Sequence, residues 1–285
     1  LSLHDALPIL RTVRKESDMK QITSARCISC IPEVVPKKRS NNKKLKLLIT
    51  NKRIDWGFKQ SMLMIQSRLQ QIMRRTGDKV LLITSTIPAE GKTMTAVNMA
   101  LAFAQEGMKV ALLDGDLRKP SVCELMKLPE GPGLTEYFRG ESTPEEIQVV
   151  KDGVTFFRAG QKKGKVSGLI DEEKMNSLLE KLRKEYDVIL MDAAPSYVFS
   201  DAMILSSYAD KVLYVVRVDK ADAKAIQVGM NSFEEKEKLI GYVINRDTGG
   251  YISQSRYGYG RYGKYQKYRK YAELDEETMN TEDTL

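Results

Sequence analysis

From Lys79 to Asn245 short apolar runs and longer stretches of helical periodicity take turns along the chain. KVLLITS, KVALLD, VTFFRA, DVILMD, KVLYVVRV and KLIGYVIN read as strands, while TMTAVNMALAFAQEG, DEEKMNSLLEKLRKEY, SDAMILSSYA and KADAKAIQVGMNSFEEKE read as helices. Strands that are apolar at nearly every residue, rather than every second one, are covered on both faces. Joined through helices, they build a parallel sheet, because a parallel crossover needs a long connection and a helix supplies it. The expected fold is α/β, a doubly wound, mostly parallel sheet in a three-layer α/β/α arrangement with its ligands at the carboxyl ends of the strands. One more helix is expected ahead of this series, from Lys59 to Arg75. Met62, Ile65, Leu69 and Ile72 share one of its faces and Gly77 closes it.

The first strand runs into TSTIPAEGKT, Thr84 to Thr93. Its end, Gly91-Lys92-Thr93, is the end of a phosphate loop, G-x-x-x-x-G-K-[ST], although Thr86 stands where the first glycine belongs. In such a loop the backbone N–H groups and the helix N-terminus face phosphate oxygens, Lys92 reaches the outer phosphates, and the Thr93 hydroxyl can ligate Mg²⁺. An ordinary strand-to-helix turn is the competing reading of this stretch alone. The next strand ends in ALLDGDLRKP, with Asp114 and Asp116 two residues apart and Arg118 behind them. Paired carboxylates repel a triphosphate unless Mg²⁺ bridges them, and one can then act as base toward an incoming hydroxyl. VILMDAAP sets Asp192 directly after a third apolar strand, where phosphate-loop enzymes hold Mg²⁺. Three such signals at strand ends, in this order, favour a P-loop NTPase-like fold.

A 285-residue chain with 42% hydrophobic residues can bury a sizeable core in one large or two small domains. No apolar run approaches the roughly 18 residues of a membrane-spanning helix. Three cysteines are too few for a disulfide framework and fit a reducing compartment, so a cytoplasmic setting is expected. Cys27 and Cys30 form a C-x-x-C, but with only His4 and Cys123 left to complete a site they read as small half-buried strand residues, and no metal is assigned to them. The net charge of +8 gathers in PKKRSNNKKLK and between Arg256 and Lys270. Neither is an ordered nucleic-acid motif, and the first reads as a solvated linker that could lie near an anionic membrane surface. The opening LSLHDALPI has none of the parts of a signal peptide and suggests a truncated or mis-assembled start. The end differs: Tyr251, Tyr257, Tyr259, Tyr262, Tyr265, Tyr268 and Tyr271 stand among Gly, Lys and Arg with few aliphatic residues, a composition expected to be disordered.

From about Thr50 to Tyr271 the sequence resembles the bacterial tyrosine kinases of capsular and exopolysaccharide biosynthesis. TSTIPAEGKT stands as the first Walker motif, ALLDGDLRKP as the second motif peculiar to that family, and VILMDAAP as the Walker B, with Asp192-Ala193-Ala194-Pro195 replacing the usual D-x-P-P. SDAMIL with Asp201, GYVIN with Asn245 near the adenine, and the tyrosine cluster extend the likeness. The resemblance implies an ATP- and Mg²⁺-dependent tyrosine autokinase whose tail tyrosines are the phosphorylated residues. Lys92, Asp114, Asp116 and Asp192 would be catalytic. Thr86, Pro88, Glu90, Gly91, Lys92, Thr93 and Asn245 would bind ATP, and Thr93, Asp116 and Asp192 the metal. It further implies a homo-oligomer at the inner face of the cell membrane, working with a transmembrane polysaccharide chain-length regulator and not with nucleic acid. RTVRKESDMKQITSARCISCIPEVVPKKR looks like the connector that follows the regulator's membrane helix in two-part members. The expected division is thus a connector over 1–50, a kinase domain over 51–248 and a tail over 249–285. The family's E-x-x-R-x-x-R ring contact is degraded here to Gln60, Leu63 and Gln66, with Arg68 just beyond. Three alternatives remain open from the residues. One is a partitioning or cell-division ATPase, which would carry a signature lysine where Ile87 stands. The others are an inactive nucleotide-binding scaffold and a tail whose tyrosines and arginines stack on single-stranded RNA.

Overall fold

The computed structural model describes residues 12–34, 47–161, 168–234 and 237–248. The basic run after Pro36 and the seven tail tyrosines lie outside them. The described elements are α1 (Glu16–Met19), β1 (Cys27–Pro32), α2 (Trp56–Thr76), β2 (Val80–Ser85), α3 (Lys92–Gln105), β3 (Val110–Asp114), α4 (Val122–Met126) and α5 (Leu134–Arg139). There follow β4 (Gln148–Lys151), β5 (Val154–Phe157), α6 (Glu172–Glu185), β6 (Val188–Asp192), α7 (Asp201–Tyr208), β7 (Lys211–Arg217), α8 (Ala223–Glu234) and β8 (Leu239–Asp247). The strands form one sheet in the order β1-β8-β7-β2-β6-β3-β5-β4, parallel at every pairing except β4 with β5.

The central strands are buried at every residue, as their uninterrupted apolar sequence requires. Alternate residues serve opposite layers. Leu81 and Ile83 of β2, Leu112 of β3 and Leu190 of β6 join a core with Phe58, Met62, Ile65 and Leu69 of α2 and with Val97, Leu101 and Phe103 of α3. The other face meets α6, α7 and α8, where the Tyr214 and Phe233 rings lie 6.2 Å apart. α2 begins at Asp55, whose carboxylate accepts from the Gly57 and Phe58 N–H groups, and ends at Gly77 in the left-handed conformation with φ 75°.

Two strands lie outside the expected series. β4 returns antiparallel on β5 through Asp152-Gly153, both at positive φ, which is the Asp-Gly hairpin turn. β1 pairs in parallel with β8 and extends the sheet at its edge. It comes from the segment expected to be connector, so the ordered fold starts ahead of residue 51. The strand is short, its flanks are polar and its partner lies at the other end of the chain, which leaves no local pattern to announce it. Pro32, which cannot donate to a ladder, is tolerated as its last residue on an edge. Cys30 is buried and Cys27 half-buried in this strand. No helix among the described residues is long and apolar enough to cross a membrane.

Candidate active site at the carboxyl ends of β2, β3 and β6

The strand order makes neighbours of the three strands that carry the motifs. β6 pairs with β2 on one side and β3 on the other, and its register with β3 sets Asp114 opposite Asp192. The loop leaving β2 turns into α3 at Gly91, whose φ is 100°. A Cβ at Gly91 would lie 2.2 Å from Asn245 Nδ2, the atom that donates to Glu90 O at 2.7 Å. Both the backbone and the approach of Asn245 therefore require glycine there. Thr86 does not need to be one: it takes no positive φ, and its buried hydroxyl accepts from Tyr214 Oη at 3.2 Å. Besides Gly91, the loop's left-handed residue is Ala89, at φ 67°. Pro88 is exposed on the loop's outer side.

α3 brings Lys92 into a ring of acids. Lys92 Nζ lies 2.7 Å from Asp116 Oδ2 and 3.5 Å from Asp192 Oδ1, and the Thr93 hydroxyl donates to Asp192 Oδ2 at 2.6 Å. Asp116 Oδ1 accepts from the Lys119 N–H at 3.0 Å, and Asp114 Oδ2 from the Val122 N–H at 3.1 Å. Asp114 Oδ1 is buried and accepts no hydrogen bond; Asp192 Oδ1 has the longer approach of Lys92 alone. Burial and the neighbouring Asp192 push the Asp114 carboxyl up to about 8. Burial raises Asp192 too, with Lys92 and Thr93 pulling the other way. For Lys92 burial opposes the charge, yet Asp192 and Asp116 outweigh it and hold the ammonium above its usual value. One ammonium thus faces three carboxyl groups, two of them pushed toward the neutral form by burial. Among the described residues no group of three or more His, Cys, Asp or Glu forms a cage for a metal on its own.

The loop carrying Asp114 and Asp116 is fastened to α7. The Arg118 guanidinium donates to Asp201 through Nε and Nη2, the Nη2 contact at 3.1 Å, and lies 4.4 Å above the Phe199 ring. Beyond the motifs, the structure adds Tyr214, Ser196, Phe199 and Arg217 to the site's surroundings. Sequence offers no signal for them, since each is recognised only by what lies against it across the sheet. Asn245 closes the loop from β8, and beside it a cavity of about 250 Å³ is walled by Leu47, Phe58, Val34 and Arg246.

A family model described as "ParA: NUBPL iron-transfer P-loop NTPase" matches residues 77–226, a little over half of the chain. Fold and loop together define a nucleotide-binding P-loop NTPase. Among relatives, the tyrosine-protein kinase CpsD of Streptococcus pneumoniae is 33% identical over 64% of this chain and 82% of its own length. The tyrosine-protein kinase YwqD of Bacillus subtilis is 32% identical over 64% of this chain and 77% of its own. The solved structure of the chimerical protein CapA2B2 superposes with a TM-score of 0.71 at 25% identity, covering 81% of this chain and 99% of that one. The chain belongs to the bacterial tyrosine-protein kinase family of P-loop NTPases.

Proposed function

We propose that this chain is an ATP-dependent protein-tyrosine autokinase that phosphorylates the C-terminal tyrosine cluster and so regulates surface polysaccharide synthesis and export. The observation that carries the reading is the seat of Lys92: a buried ammonium at a helix N-terminus, within reach of Asp116 and Asp192, on a loop shaped for phosphate. In this reading the backbone of Thr86, Pro88, Glu90 and Gly91 wraps the phosphates, and Lys92 turns from the carboxylates to the transferred phosphoryl group. The base enters the cavity beside Asn245, where Val34, Leu47 and Phe58 give an aromatic ring an apolar side and Glu33 and Arg246 a polar one. Thr93, Asp116 and Asp192 would hold Mg²⁺, which when bound neutralises charge on the phosphates. Asp114, with one free oxygen and a raised pKa, takes the phenol proton as the tyrosine oxygen bonds to the γ-phosphorus and ADP departs. The Arg118–Asp201 pair keeps the Asp114 and Asp116 loop in place throughout.

The same proposal takes the folded residues up to 248 as the kinase domain and 249–285 as its substrate tail. It places the protein at the inner face of the cell membrane, as a homo-oligomer beside a transmembrane chain-length regulator. Incubation with Mg·ATP followed by a phosphotyrosine blot tests it. Signal from the wild type and none from Lys92→Met are expected. ATP hydrolysis without phosphotyrosine would return the chain to the partitioning ATPases, and nucleotide binding without either to an inactive scaffold.

A further inference from the structure

We propose that Glu90 is a positioning residue for the nucleotide: its carboxylate fastens the phosphate loop to β7 and must be ionised to do so. The proposal rests on the nucleotide site described above. Glu90 is fully buried. Its Oε2 accepts from the Ile87 N–H inside the loop at 2.7 Å, and its Oε1 from the Arg217 N–H at the end of β7 at 3.2 Å. Arg217 returns the contact through Nη1 to Ala89 O at 3.0 Å, while Asn245 holds Glu90 O from β8. The loop is therefore slung between two strands by bonds that do not involve Lys92 or the three site aspartates.

Burying a carboxylate is costly unless its oxygens are satisfied, and here the nearest partners are N–H groups, not a cation. Bonds to an ionised acceptor are about twice as strong as neutral ones, and both carboxylate oxygens accept. An amide at this position offers one acceptor and turns an NH₂ toward an N–H. Burial pushes the Glu90 carboxyl up to about 7, against the N–H groups of Ile87, Arg217 and Thr86 and the attraction of Lys220. Tyr214 on β7 also faces it and is itself held neutral by burial. With a midpoint near 7, about nine-tenths of the molecules hold Glu90 ionised at pH 8 and about one-tenth at pH 6. Apparent affinity follows the competent fraction, so nucleotide binding weakens about tenfold over that interval. The effect on folding has the opposite sign. A carboxyl whose folded pKa exceeds its unfolded value contributes stability at low pH and loses it as pH rises through the folded pKa, so weaker binding at pH 6 cannot be loss of the fold through this group.

Calorimetric titration with Mg·ADP from pH 6 to 8.5 tests the proposal in wild type and Glu90→Gln. The nucleotide's own titration and that of Asp114 are common to both proteins and cancel in the ratio of affinities. The expected result is a variant more than tenfold weaker at pH 8, with the gap to wild type narrowing toward pH 6. Equal affinities and equal pH slopes overturn the role of Glu90. A wild type that binds no ADP at any pH overturns instead the nucleotide reading beneath it. If Glu90→Gln shows no cooperative melting, hydrogen exchange at the Ile87 amide of the wild type decides. Protection, corrected for intrinsic rate, must be greater at pH 8 than at pH 6, and equal protection refutes the proposal.

Discussion

In the proposed mechanism Lys92 and its three aspartates divide the work that a phosphoryl transfer needs, and the division is open to single substitutions. Asp192→Asn removes the charge opposite the Thr93 hydroxyl. It should raise the Mg²⁺ concentration for half-maximal autophosphorylation several-fold, measured by titrating Mg²⁺ at saturating ATP. Asp114→Asn removes the proposed proton acceptor while leaving the Lys92 contacts with Asp116 and Asp192. It should slow transfer by about a hundredfold with ADP binding retained. Loss of ADP binding in Asp114→Asn would contradict that assignment. Lys92, Thr93, Asp114, Asp116 and Asp192 could all be named from sequence because each sits in a local pattern at a strand end. Why Thr86 replaces a glycine could not be, because the explanation is the Tyr214 hydroxyl 128 positions along the chain. Glu90 was expected as an ATP-binding residue of the loop, with nothing to link its side chain to β7. Its side chain's partner Arg217 lies 127 residues away, and no spacing connects them.

The elements were legible wherever a strand is apolar throughout or a helix has one apolar face. Leu69, fully buried on the face of α2 foretold by its three- and four-residue spacing, packs in the core shared with α3. Leu69→Ala should cost about 2–5 kcal/mol, read from denaturant unfolding, since the cavity left adds to the lost burial. A cost below about 1 kcal/mol would mean that α2 is not part of the cooperative core. The β4 hairpin carried a signal in Asp152-Gly153, but its strand residues are half-exposed and lack the apolar run of the central strands. β1 was hidden for a different reason. Parallel pairing with β8 joins residues more than 200 apart, and nothing in a six-residue strand records such a partner.

At the scale of the whole molecule, a folded catalytic unit is continuous with a tail that holds seven tyrosines and, between Arg256 and Lys270, six positive charges, at Arg256, Arg261, Lys264, Lys267, Arg269 and Lys270. About 25 extended residues reach roughly 80 Å, so a tail can enter the site of another copy. On the proposed reading an unmodified tail would be drawn to the acidic ring; each phosphate adds about 1.5 to 2 negative charges, and a filled cluster would be repelled. Assembly should therefore fall as phosphorylation rises. Sedimentation of the protein with the proposed membrane activator, before and after phosphatase treatment, checks this, and equal sizes would show that the tail does not govern assembly. The destination of the phosphate is the most direct test of the whole account. Purified protein incubated with Mg·ATP, digested and mapped by mass spectrometry should carry phosphate on tyrosines of the 251–271 cluster, with Lys92→Met unmodified. ATP turnover that leaves every one of those tyrosines unmodified would contradict it.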